Sequence, residues 1–260
     1  AQTALESPSM ADSQVATLQP RTVGLGNILR SVVELLPNIG TTLKGVGALI
    51  TTKPHKTKSI GWLLEKQAAA QPKHVAIRYQ NTTITYGEFN AQANRIAHYL
   101  TSIGIKSGDV VGVMLENRPE TLISVLAIVK LGAVASMFNT SQRGDVLEHS
   151  IKLVKPKAII VGEEMLDAIA SVEQALSSEL KQHLLYVKDQ GTVACPAHYQ
   201  DLAEVSKNQS AQNLPITATI KMHQPCYYIF TSGTTGLPKA SVMSHYRWFK
   251  SMAGMGLASM

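Results

Sequence analysis

The chain has 260 residues, of which 45% are hydrophobic and 16% charged, so it is neither disordered nor fibrous in composition and can bury a sizeable core. The net charge is +6, and the sequence has no long basic run that alternates with aromatic residues, which argues against nucleic acid as a partner. Two cysteines, Cys195 and Cys226, do not indicate a disulfide framework, and we expect a reducing, cytoplasmic compartment.

The first fifty residues contain a polar start and then an apolar segment. Residues 1–20 lack a basic stretch followed by an apolar one, so we expect no secretory signal there. Charged residues interrupt the apolar segment at 22–52, which excludes a membrane-spanning run of 18 uncharged residues. Helical spacing predicts an amphipathic helix instead, with an apolar side made by Leu25, Ile28, Leu29, Val32, Leu36 and Ile39.

A basic cluster follows, in which Lys53, Lys56 and Lys58 stand close together. Helix and cluster together are compatible with docking on an anionic lipid surface, which would place the protein peripherally on the cytoplasmic face of a membrane. The plainer interpretation is a helix packed on its own domain, followed by a solvated linker. Amphipathic helices pack on their own protein more often than they bind membranes. We predict that residues 1–57 form an amino-terminal extension.

A hairpin and a helix are predicted next. The short β-prone runs VAIRY and TITY are separated by Gln80 and Asn81, as in a hairpin. Thr85 and Glu88 have the spacing of a capping box, and the apolar stripe that follows stops at Gly104.

Strands and helices then alternate. The runs DVVGVML, AVASMF and KAIIVG are typical of buried strands, and the segments between them of helices of about ten residues or more. Asn117 with Glu120 is predicted to start one helix, and Gly132 to end it. This alternation predicts an α/β fold with a mostly parallel sheet covered by helices. Residues 188–224 lose the periodicity and suggest a surface excursion before the strand CYYIF.

The loop after that strand carries the strongest chemical signal. Glycines allow a close backbone approach in which successive N–H groups face an anion, hydroxyls add donors, and a lysine adds a point charge. Pro238 stiffens the end of the loop. The predicted phosphate contacts are Thr231, Ser232, Gly233, Thr234, Thr235, Gly236 and Lys239.

Two other kinds of loop have a similar composition. A Walker A loop needs four residues between its glycines and a Ser or Thr after the lysine, but here two residues separate Gly233 and Gly236, and Ala240 follows Lys239. A Walker NTPase is therefore disfavoured. A Thr/Gly-rich turn between strands with an exposed lysine is the plain structural alternative.

Three segments resemble one enzyme family. YYIFTSGTTGLPK resembles the phosphate-loop signature of the adenylate-forming (AMP-binding) superfamily. ITYGEFNAQANRIAHYL at 84–100 is similar to an early helix motif of that family. The segment that begins at Leu126, LAIVKLGAVASMFNTSQRGDVLEHSI, is similar to the family's helix-strand segment in which a Lys-Leu-Gly turn precedes the second core strand. The segments VMLENRPE and LEHSI resemble most the long-chain and very-long-chain acyl-CoA synthetases of the fatty-acid transport branch. The resemblance makes residues 58–260 part of an adenylation domain.

The resemblance implies a two-step ligase reaction. A carboxylate of a long-chain or very-long-chain fatty acid attacks the α-phosphate of ATP, with Mg²⁺, and the thiol of CoA then displaces AMP. The family's other nucleotide-binding residues and its catalytic lysine are expected beyond residue 260, so no catalytic residue is assigned and the chain alone is expected to be inactive. A membrane-docking or lipid-uptake protein and a non-catalytic nucleotide-binding module are the alternatives.

The histidines give weaker signals. His245 lies six residues after Lys239, where the adenylate-forming family often has a histidine near the entrance of the acyl site. The aromatic residues Tyr246, Trp248 and Phe249 also fit the start of a helix with an ordinary core face, and this is the interpretation that we favour. The other histidines, His149 among them, lack metal-ligand spacing, and no His/Cys metal site is predicted.

Overall fold

The computed structural model describes residues 47, 50, 52–231 and 236–258, with side chains described as far as residue 252. The amphipathic helix predicted within residues 22–52, from Leu25 to Ile39, thus lies outside the described residues. The strands are β1 (Val75–Tyr79), β2 (Thr82–Thr85), β3 (Val110–Met114), β4 (Val134–Met137), β5 (Ala158–Gly162), β6 (Leu184–Val187), β7 (Gln200–Asp201), β8 (Pro225–Thr231) and β9 (Lys239–Ser244). The helices are α1 (Ile60–Ala70), α2 (Tyr86–Ser102), α3 (Pro119–Lys130), α4 (Gly144–Val154), α5 (Leu166–Ala170), α6 (Ser178–Lys181), α7 (Leu202–Ser206) and α8 (His245–Ala258).

Seven of these strands form one sheet, in the order β7-β6-β5-β3-β4-β8-β9. All neighbouring strands are parallel except β9, which runs antiparallel to β8. The predicted hairpin β1-β2 is a separate antiparallel pair. The α/β fold with a mostly parallel sheet is therefore confirmed, since helices form the crossovers between most of the successive parallel strands, the β6–β7 connection being the exception.

Both faces of the sheet are buried, because its central strands send alternate side chains to opposite sides. Val111 and Val113 of β3 point into a core shared with α1, α2 and α3. Ile159 and Val161 of β5 point into a second core against α4 and α5. Burial on both faces explains why these strands have nearly continuous apolar sequences.

Helix boundaries agree with the sequence where local chemistry sets them. The capping box forms as predicted at α2, where the Thr85 hydroxyl accepts from the Glu88 amide and the Glu88 carboxylate accepts from the Thr85 amide. Gly104 follows α2 with a φ of 89°, a conformation that favours glycine.

The predicted start of α3 at Asn117 is wrong. Arg118 is the N-cap residue, and it makes no side-chain capping bond. Helix α3 begins at Pro119, whose fixed φ and missing N–H suit the first helical position. The Arg118 guanidinium instead donates to the backbone oxygens of Val187 and Lys188 and so ties the start of α3 to the end of β6.

The segment 188–224 is a surface excursion only in part. It contains the two-residue edge strand β7, the short helix α7 and a 3₁₀ turn at Pro215–Thr219. Elements this short do not show a reliable period in sequence, because a period needs several repeats to be visible.

Candidate functional site

The predicted phosphate-binding loop joins β8 to β9. Its first and last residues, Thr231 and Lys239, are opposite partners in the antiparallel pair of strands. Gly236 has a φ of 84°, in the region that glycine adopts without strain. The other four predicted phosphate contacts, Ser232, Gly233, Thr234 and Thr235, lie outside the described residues.

The two ends of the loop bring a hydroxyl and a cation together. Thr231 and Lys239 are both exposed, and their backbones are neighbours across the strand pair. A phosphate chain above the loop can therefore meet the Thr231 hydroxyl and the Lys239 ammonium at once. The same geometry also fits a turn with an exposed lysine, so phosphate binding by these residues remains a prediction.

The position of the loop in the fold favours a ligand. Strand β8 runs parallel to β4, so the loop leaves the sheet at the same edge as the connections that follow β3 and β4. Ligands of open parallel sheets bind outside the carboxyl ends of their strands. The loop is therefore at the edge where such a fold places its binding site.

An aromatic pair supports the start of the loop. Phe230, next to Thr231, stacks on Phe138 with ring centroids 5.5 Å apart and an interplanar angle of 23°. Gly112 of β3 makes room for Phe138, since an added Cβ would stand 2.5 Å from the Phe138 Cε2. The end of β8 is therefore held by packing, which fixes the direction in which the loop leaves the sheet.

His149 of α4 supports the other end of the loop. Its Nε2 lies 3.2 Å from the backbone oxygen of Pro238, the residue before Lys239. Because a carbonyl oxygen only accepts, Nε2 is the nitrogen that carries the proton. The sequence interpretation missed this contact, because no local pattern links residues 89 positions apart.

His245, for which the resemblance offered a place near the acyl site, makes a buried structural contact. It is fully buried at the start of α8, and its Nδ1 accepts a hydrogen bond from the Ile60 amide at the start of α1, 3.2 Å away. Nδ1 is therefore unprotonated, and the N–H at Nε2 is buried without a partner among the described residues. Burial lowers the pKa of His245 to about 4, so the ring is neutral at physiological pH.

The neighbouring aromatic residue Trp248 packs against the core that α1, α2 and α3 share with the sheet.

Cys195 and Cys226 are both free thiols. Among the residues that the structure describes, no three His, Cys, Asp or Glu side chains gather into a metal-binding group. No described helix combines the length and apolar character needed to cross a bilayer.

Comparison with known proteins gives a consistent result. Residues 64–259 match the family profile described as AMP-binding enzyme. The medium/long-chain fatty-acid–CoA ligase FadD6 of Mycobacterium tuberculosis is 35% identical over 239 residues, which are 91% of this chain and 38% of that protein. The mouse long-chain fatty acid transport protein 6 is 32% identical over 71% of this chain and 29% of that protein. The chain thus spans well under half the length of these relatives.

Solved structures show the same fold. The anthranilate CoA ligase AuaEII, in complex with anthranoyl-AMP, superposes with a TM-score of 0.68 at 22% identity, over 76% of this chain and 36% of that chain. The N-terminal domain of FACL13 from Mycobacterium tuberculosis gives a TM-score of 0.59 at 27% identity, over 72% of this chain and 44% of that chain.

Proposed function

Because the chain belongs to the AMP-binding enzyme family, we propose that the full-length protein is an acid–thiol ligase that activates a fatty acid with ATP. The fatty acid carboxylate attacks the α-phosphate of ATP, which forms the acyl-adenylate and releases pyrophosphate. The thiol of CoA then attacks the acyl carbon, which forms the thioester and releases AMP.

One observation carries this proposal, namely the exposed pair Thr231 and Lys239 at the two ends of a glycine-containing loop at the carboxyl edge of the sheet. Donors placed there can bind the β and γ phosphates and keep the departing pyrophosphate in position. The Lys239 ammonium offsets negative charge as it moves onto that leaving group. The hydroxyls and the ammonium fit an ATP phosphate chain, whereas no Mg²⁺ ligand is assigned to the described residues.

The substrate class follows the relatives. FadD6 is named for medium- and long-chain fatty acids, and the mouse transport protein for long-chain ones. We therefore propose a long-chain or very-long-chain fatty acid as the substrate, with ATP and CoA.

Lys239→Ala in the full-length protein should slow adenylation by about ten- to a hundredfold. A charge-assisted contact contributes about 1.5–3 kcal/mol, and each ~1.4 kcal/mol is tenfold in rate. Lys239→Arg should restore the rate only in part, because a planar guanidinium does not replace a compact ammonium at a tight loop. Fatty-acid-dependent pyrophosphate release is the measurement.

Thermal unfolding separates a phosphate contact from a structural role for Lys239. Since its side chain is exposed, the melting temperature without nucleotide should stay unchanged in Lys239→Ala. The stabilisation gained on adding ATP should shrink, because it follows from nucleotide affinity. A wild-type adenylation rate, or a variant that does not fold, would contradict the proposal.

The 260-residue chain on its own should form no acyl-CoA. It spans 38% of the length of FadD6, and we infer that the remaining ATP contacts and the catalytic lysine lie in the part it does not cover. Pyrophosphate release by this chain in the presence of ATP, Mg²⁺ and palmitate is the measurement, with the full-length protein as the positive control. Release above background from the short chain would refute this inference.

A peripheral membrane contact is a second proposal, supported by a cationic surface near the start of the described chain. Lys53 and Lys58 are exposed. The ammonium groups of Lys58 and Lys66 lie 5.9 Å and 4.8 Å from the ring centroid of Trp62, a combination suited to an anionic lipid surface. The contact would place the protein on the cytoplasmic face of a membrane.

Replacing Lys53, Lys56 and Lys58 with Gln should then weaken sedimentation with phosphatidylserine vesicles, by about 1 kcal/mol for each charge near the surface. The remaining binding should also be less sensitive to salt. A triple Gln variant of Lys106, Lys155 and Lys181 is the control of equal charge. Equal partitioning of the two variants would return the segment to the interpretation of a solvated linker.

A further inference from the structure

A cavity lies away from the phosphate loop, between three helices. It has a volume of about 340 Å³ and is lined by one face each of α2, α3 and α7, together with the carboxyl end of β6. No residue of β8 or β9 lines it. Its apolar wall consists of Ile96, Ile123, Val187 and Leu202. The cavity is at the lower end of the size range of small-molecule sites, which are about 300–1,000 Å³.

A hydroxyl without a partner lines this apolar wall. Ser124 of α3 is 1% exposed, and its Oγ has no hydrogen-bond partner among the described residues. A buried hydroxyl left unpaired is costly, and such groups in native structures usually have a partner. The Ser124 Oγ is closed to solvent in this conformation, so a turn of its side chain toward the cavity would let it donate a hydrogen bond to an oxygen of a bound ligand.

The charged side chains that line the cavity are mainly positive. They are Arg95 of α2, Lys188 after β6, Lys207 at the end of α7, and one carboxylate, Glu120 of α3. Lys207 forms an ion pair with Glu204. In the described part of the chain, Arg95 and Lys188 have neither an ion pair nor a side-chain hydrogen bond, so both are available to a ligand.

We propose that this cavity binds an amphipathic anion, that is, an aliphatic chain of moderate length with a carboxylate or a monophosphate at one end. Arg95 and Lys188 bind the anionic group, Ser124 donates a hydrogen bond to one of its oxygens, and the aliphatic part packs on Ile96, Ile123 and Leu202. The site is separate from the proposed ATP loop, and the proposal holds whether or not the loop binds ATP.

Photo-crosslinking to the full-length protein tests this site directly. The probes are decanoic acid, decyl phosphate and decanol, each with a diazirine at the end of the aliphatic chain, and the labelled peptides are identified by mass spectrometry. We expect the two anionic probes to label the segments 92–96, 123–124 or 202–207, and decanol to label them at least about tenfold less. Whichever anion labels at the lower concentration identifies the preferred head group.

The double variant Arg95→Gln/Lys188→Gln should reduce this labelling by about tenfold or more, and Ser124→Ala should reduce it by a smaller factor. Lys73→Gln, which removes an exposed charge elsewhere, and Lys239→Ala, which alters the proposed ATP loop, should leave it unchanged. Circular dichroism and the melting temperature show whether each variant is folded. No labelling of these segments, equal labelling by decanol, or unchanged labelling of the folded double variant would overturn the proposal.

Discussion

Lys130→Met should lower the free energy of unfolding of this chain by about 3–5 kcal/mol. Lys130 ends α3 and is fully buried, with its ammonium 2.7 Å from the Glu65 carboxylate of α1 and 2.6 Å from the Asn90 Oδ1 of α2. Burial lowers the pKa of Lys130, and the Glu65 carboxylate partly offsets this. Methionine fills a similar volume but leaves the largely buried carboxylate without a counter-charge, and an unpaired buried charge is the costly outcome.

Urea unfolding measures this effect, with tryptophan fluorescence as the signal. The denaturation midpoint should fall while the slope stays unchanged, because the surface exposed on unfolding is nearly the same. Lys152→Met is the matched control, since Lys152 forms an exposed pair with Glu148 one turn away and such pairs contribute about 0.3–0.5 kcal/mol. Equal losses in the two variants would show that the buried pair has no special role. Adding Glu65→Leu to Lys130→Met should recover part of the loss.

Between pH 7 and pH 4 the chain should lose about 3 kcal/mol of stability through His245 alone, about 2 kcal/mol of it by pH 5. The pKa of His245 is lowered from 6.5 to about 4 by burial. The unfolded chain therefore takes up a proton below pH 6.5 that the folded chain takes up only near pH 4, and acid favours unfolding throughout this window. Protonation would also break the bond from the Ile60 amide to Nδ1 and place a cation at a helix N-terminus.

His245→Asn should remove this pH dependence, because an asparagine oxygen can accept from the Ile60 amide and does not titrate. The measurement is urea unfolding from pH 7 to pH 5. Glu163 does not disturb this measurement. Burial raises the pKa of its carboxyl group, but hydrogen bonds from Thr192 and neighbouring amides lower it further, to below 4.5, so the stability from that carboxylate is lost mainly at pH values below this window. His74→Asn, at an exposed histidine, should keep the wild-type slope. A wild-type slope in His245→Asn would refute this explanation.

The sequence predicted correctly those features that depend on neighbouring residues. The capping box of Thr85 and Glu88, the helix stop at Gly104 and the hairpin around Gln80 each depend on residues within a few positions, and the structure confirms them. The prediction at Asn117 was wrong by one position, because Pro119 occupies the first helical position, which its fixed φ and missing N–H suit, and the cap therefore falls on Arg118. Of the candidate site, the sequence predicted the loop residues but neither contact that holds the loop in place.

The sequence alone determined the α/β class, the alternation of strands and helices and the composition of the loop, because the period of apolar residues shows which side of an element is buried. It did not determine what that side packs against. Only the tertiary structure decided the contacts of His149 with Pro238 and of His245 with Ile60, which join residues 89 and 185 positions apart. It also decided the partner of Lys130 and the cavity between α2, α3 and α7. Such contacts depend on how chain-distant elements pack, and that packing leaves no pattern within a single segment.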